Sequence, residues 1–216
     1  MAAQKLEPAR DDADQRAAYW PLPLARAIPA AVLAIVITFS ADHSAVFGLT
    51  VFAGFAIVSG TAVGIVSRRR LAPGGIRPYL VAHGAITVAA GLFALAVRDG
   101  GVSALFLLFT VFAAVTGVLE LSLGLRNRRL VASNDWRTVG VITVIAAVLF
   151  VLIPPGYRQS FEGAENVSGV IDSAVIAVGL LGAYAAIIAV YLLIAAFSAK
   201  WGTQRAAVAA ESGLVR

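Results

Sequence analysis

The sequence predicts an all-α integral membrane protein, with six transmembrane helices arranged as three repeated parallel in–out–in hairpins. Three observations predict it. Hydrophobic residues make up 60% of the 216 positions and charged residues 13%, with a mean hydropathy of +0.87. That is far from the balance of a soluble domain. The apolar residues fall in runs long enough to cross about 30 Å of hydrocarbon at about 1.5 Å per residue. And the runs repeat. Phe55, Ala56, Val58, Ser59 and Gly60 return as Phe112, Ala113, Val115, Thr116 and Gly117, always 57 positions later. A weaker third copy, AYAAIIA over residues 183–189, has Tyr184 for the Phe and Ala189 for the Gly. Internal repetition of this kind fixes an architecture before single residues are interpreted.

Taken in order, residues 1–24 are polar, with Asp11, Asp12 and Asp14 among Lys5, Arg10 and Arg16. They hold no apolar core of a signal peptide, so the expectation is a mostly disordered cytoplasmic tail. Trp20, Pro21 and Pro23 mark the membrane entry. The spans expected are 26–41, 44–66, 79–97, 102–125, 138–154 and 173–198. Together they form a membrane domain over residues 25–199, with repeats at about 25–70, 79–129 and 137–199. A second cytoplasmic tail covers 200–216. The first two hairpin turns are short, centred on Asp42-His43 and on residues 98–101, and Asp42 and Asp99 are again 57 apart. The third turn, 155–172, is longer and carries Arg158, Glu162 and Glu165, which enlarges the offset to the third copy.

Charge sets the orientation. Fifteen of the seventeen Lys and Arg residues lie in the tails and the two long connections; only Arg98 and Arg158 lie on the other side. The positive-inside rule then puts both termini in the cytoplasm of an inner (plasma) membrane protein. Trp20, Tyr79, Trp136 and Trp201 fall at inner span ends, where amphipathic rings favour the interface. The net charge of +5 suits a membrane protein beside anionic inner-leaflet lipids. The basic runs 68–70 and 126–129 lack the aromatic interleaving of a nucleic-acid surface, so no nucleic-acid partner is expected.

Candidate residues fall into three groups. Ala56, Gly60 and Gly64 recur at four-residue steps on one helix face, and Ala113, Gly117 and Ala189 occupy corresponding places. Helices in lipid associate through such close backbone approach. Packing within the chain is the favoured reading, ahead of a homo-oligomer or a contact with another membrane protein. The second group is ionisable. His83, Glu120 and Asp172 lie within or at the ends of spans, where charge is costly. His83 and Glu120 sit at similar depth. They either pair with each other, or Glu120 snorkels toward Arg126 or Arg128 and His83 toward the interface. The sequence favours the second arrangement. Asp172 is expected to cap the last helix. The third group is an acidic outer rim of Asp42, Asp99, Glu162 and Glu165.

Enzyme chemistry finds little support. There are no cysteines, His43 and His83 make no metal-binding spacing, and no phosphate-binding or hydrolase motif is present. The expectation is a non-enzyme without cofactor.

The hairpin plan, a short small-residue helix, a tight turn and a helix reading F-A-x-x-[ST]-G that closes on basic residues, resembles the HdeD-like acid-resistance membrane proteins. Those proteins are built from a short membrane repeat of unknown function. Residues 84–91 and 111–121 are the closest segments, within a likeness covering about 24–199. The family often has proline at the outer turn. Here Asp42 and Asp99 stand in that place, and only Pro154-Pro155 keeps it. The resemblance implies an inner-membrane role in acid or envelope stress and brings no catalytic residues. Two functions follow: a stress-related protein acting by interaction, lipid contact or barrier maintenance, or a small proton or solute transporter using His83 and Glu120. The polar content of the spans favours the first.

Overall fold

The computed structural model describes residues 14–162 and 168–214. Of the described residues 81% are helical, and among them six helices are long and apolar enough to cross a membrane, as expected for a multi-pass membrane protein. They are α1 (Pro21–Phe39), α2 (Ala45–Arg70), α3 (Arg77–Ala96), α4 (Gly101–Arg126), α5 (Ser133–Leu152) and α6 (Ser173–Leu214). A two-stranded sheet, β1 (Arg158–Glu162) and β2 (Ser168–Asp172), precedes α6.

The ends of the helices follow from local chemistry. Ser44 caps α2, its Oγ accepting from the Phe47 amide at 3.2 Å, and Arg68, Arg69 and Arg70 complement the dipole at the other end. Gly74 and Gly75, at φ 85° and 54°, make the turn into α3 that a side chain would resist. Asp172 Oδ1 accepts from the Val175 amide at 3.0 Å and so caps α6.

Three boundaries differ from the sequence reading. Within the tail expected over residues 1–24, a helical stretch starting at Asp14 runs into α1, and residues 1–13 lie outside the described residues. The Trp20 amide donates to the Arg16 carbonyl at 3.0 Å, which carries the ladder up to the prolines. Tyr19, Leu22 and Pro23 are buried there, and that apolar surface holds the segment down. At the other end α6 continues through the expected tail to Leu214. The third turn forms an antiparallel ribbon, with Arg158 opposite Asp172 and Ser160 opposite Val170.

The pairing of helices also differs. The most extensive contacts are α2 with α3, α4 with α5, and α1 with α6, while α3–α4 and α5–α6, the arms of two expected hairpins, touch much less. Close backbone approach decides this. A Cβ on Gly60 would stand 2.5 Å from the Gly84 carbonyl oxygen, and one on Gly84 2.6 Å from that of Gly60. In α4 and α5, a Cβ on Gly117 would meet the Val144 nitrogen at 2.9 Å, and one on Gly140 the Leu121 nitrogen at 2.5 Å. In the third pair Ala189 is buried with Ala27 and Ala30. The glycines thus serve the joins across the basic connections, and the first helix closes the ring by packing on the last.

Candidate functional site

The three helix pairs surround one small cavity of about 30 Å³, and every helix contributes to its wall. Arg26 comes from α1, Ser59 from α2, His83 and Thr87 from α3, Thr116 and Glu120 from α4, Thr143 from α5 and Tyr184 from α6. The repeat explains the set. Arg26 and His83 are 57 apart, as are Ser59 and Thr116, and Phe55 and Phe112; Thr87 and Thr143 are 56 apart, as are Gly84 and Gly140.

Glu120 is the hub. Its Oε1 is ion-paired with Arg26 Nη2 and lies 2.8 Å from His83 Nε2. The histidine contact is close but off the direction a hydrogen bond needs, so it is electrostatic. Glu120 Oε2 has no hydrogen-bond partner among the described residues. Glu120 and His83 are 3% and 7% exposed, and so neither snorkels. The arrangement favoured by the sequence, Glu120 toward Arg126 or Arg128 and His83 toward the interface, is overturned. A nearer cation, Arg26, satisfies the carboxylate without exposing it.

The threonine hydroxyls are already committed as donors. Thr87 donates to the His83 carbonyl at 2.8 Å, Thr116 to that of Phe112 at 2.7 Å, and Thr143 to that of Val139 at 2.8 Å. A threonine has one proton, so at the 2.9 Å contact between Thr143 and Tyr184 the tyrosine donates. These threonines therefore offer the cavity acceptor lone pairs beside the Arg26 guanidinium, with room for one or two water molecules.

Apolar layers close it on both sides. Toward the short turns lie Phe52, Phe109, Phe112 and Phe150, with Phe52 5.1 Å from Phe109 and 5.0 Å from Phe112 between ring centres. Toward the basic end Leu22, Leu80, Leu123 and Trp136 are buried, while Val63, Val139 and Leu192, each 1% exposed, lie at the depth of the charges themselves. Val63 precedes Glu120 by 57 positions, and Leu192 follows it by 72, the offset from Gly117 to Ala189. One member of each ring carries charge and its equivalents are aliphatic.

The remaining candidates lie elsewhere. Ala56 is fully buried, and a Cβ on Gly91 would stand 3.0 Å from the Ala56 Cβ; Ala113 is buried on α4. Gly64 backs onto Gly84 while its own Cβ direction is open. Asp172 stands at the turn end, away from the cluster. Asp42 Oδ1 accepts from the Ser44 amide at 2.8 Å, and this bond holds its carboxyl below the usual carboxylate range. Asp99 is exposed, 3.6 Å from Arg98. Glu165 lies outside the described residues, and for Glu162 only the backbone is described. Among the described residues no group of three His, Asp or Glu side chains is placed to hold a metal.

Sequence reasoning missed two groups. Arg26 was placed at the first span's mouth, yet its 57-residue offset from His83 was the available signal. Asp135, near the basic end, accepts from Tyr19 and Tyr191, each at 3.2 Å.

Residues 82–152, from α3 through α5, match a family described as a short repeat of unknown function (DUF308). That segment is similar to a membrane repeat family. It is about a third of the chain. No curated protein and no solved structure matches.

Proposed function

We propose that this is a non-enzymatic inner-membrane protein, both termini cytoplasmic, that acts under acid or envelope stress by contact within the bilayer and does not conduct. The HdeD-like resemblance supports the stress role. The observation that carries the non-conducting role is the sealed cluster: Arg26, Glu120 and His83 meet in a cavity of about 30 Å³, with phenylalanines on one side and Leu80, Leu123 and Trp136 on the other. A conducting route needs polar groups or water across the whole bilayer, since an unpaired polar group in hydrocarbon is costly.

The test is proton and ion flux into proteoliposomes holding the full-length protein, across pH 4 to 7. Flux no greater than in protein-free vesicles, with acid survival lost in a deletion strain, is the expected result. Flux that Glu120→Gln abolishes establishes the second reading, a proton transporter. The unpartnered Oε2 of Glu120, which lines the cavity with His83, is the observation that favours it.

A further inference from the structure

A larger hollow lies on the lipid-facing side, where α3 and α4 part toward the basic end. It is a groove of about 670 Å³ walled by apolar side chains such as Ile86, Val115 and Val118, with Tyr79, Arg126 and Asn127 at its mouth. The repeat shows how it differs from the corresponding place. The corresponding place between α5 and α6 is bridged, Tyr191 donating to Asp135 at 3.2 Å. Tyr79 precedes Asp135 by 56 positions, and Leu119 precedes Tyr191 by 72, the offsets of Gly84 to Gly140 and of Gly117 to Ala189. Leucine and tyrosine cannot form that bond, so no such polar bridge crosses this groove.

At its mouth the groove joins a second hollow of about 610 Å³, formed by the loops 71–76 and 127–130. The two share Arg126 and Asn127. Arg128 and Arg129 line this outer hollow, and no Asp or Glu lines either one among the described residues. From Ala114 to Arg126 the groove follows α4 for about 18 Å, close to the roughly 15 Å hydrocarbon depth of one leaflet. An apolar slot one leaflet deep thus opens into a basic pocket at headgroup level.

We propose that the two hollows together hold one anionic phospholipid, an acyl chain between α3 and α4 and the phosphate against Arg126, Arg128 and Arg129. A second copy of the chain would set an apolar helix in the groove and leave the three guanidiniums without counter-charge; a phospholipid answers both parts. An arginine near anionic headgroups contributes enough for about a fivefold preference.

The test is native mass spectrometry of the full-length protein in mild detergent, titrated with phosphatidylglycerol or phosphatidylcholine. The expected result is one phosphatidylglycerol retained in preference to phosphatidylcholine. Arg126→Gln should lower that preference about fivefold and leave phosphatidylcholine retention unchanged. Val118→Trp, which fills the groove from an exposed position, should lower retention of both. Unchanged melting curves show that both variants fold. Equal retention of the two lipids overturns the proposal, as does retention indifferent to both substitutions. A dimer that Val118→Trp dissolves also overturns it, since the groove then belongs to a second copy.

Discussion

Replacing Arg26 with Met tests the central cluster most directly. Methionine keeps the length and apolar stem of the side chain and removes only the charge and its donors. The Arg26 and Glu120 side chains are 14% and 4% exposed, so water screens their attraction little. Removing one partner of such a pair leaves a buried charge and costs about 3–5 kcal/mol. His83 remains 2.8 Å from Glu120 as a second polar neighbour, which puts the expected loss near the lower end. For a chain of this size each kcal/mol lowers the melting temperature by about 2–4 °C. Arg26→Met should therefore melt about 6–12 °C below wild type. Glu120→Leu strands the guanidinium and should fall in the same range. The double variant removes both charges and should recover most of the loss, because apolar replacement of a whole buried pair is often neutral. The assay is thermal unfolding in detergent followed by tryptophan fluorescence, for which Trp136 is a buried reporter. If the double variant loses the sum of the single losses, the two charges act independently and the cluster is not a unit.

Two other outcomes follow from the packing and the charge pattern. Gly60→Ala places a methyl 2.5 Å from the Gly84 oxygen and 2.8 Å from the Val88 nitrogen, both backbone atoms. It should cost about 1–3 kcal/mol. Gly64→Ala meets nothing within 4 Å and should be neutral or gain up to about 1 kcal/mol from helix propensity; equal melting temperatures for the two variants would remove the close approach as the cause. For topology, single cysteines at Asp99 and Ala72, both exposed in a protein with no native cysteine, should label differently. An impermeant thiol reagent applied to intact cells should reach Asp99→Cys and not Ala72→Cys, and the reverse pattern would invert the orientation.

The sequence by itself determined what depends on neighbours along the chain. Six spans, their approximate limits, the 57-residue repeat and the crowding of basic residues at one end are all one-dimensional facts. Lipid enforces them, because a helix is the cheapest way to satisfy a backbone in hydrocarbon. The depth match of His83 and Glu120 was legible for the same reason: helical rise converts residue number into depth. Tertiary structure decided which spans embrace. The turns suggested hairpins, but Gly60 against Gly84 and Gly117 against Gly140 draw together helices joined on the basic side. It also decided what neutralises the carboxylate, since Arg26 reaches Glu120 across 94 positions only because α1 returns to pack on α6. A buried charge takes whichever partner the fold brings within reach, and nothing local to Glu120 specifies that α1 supplies it.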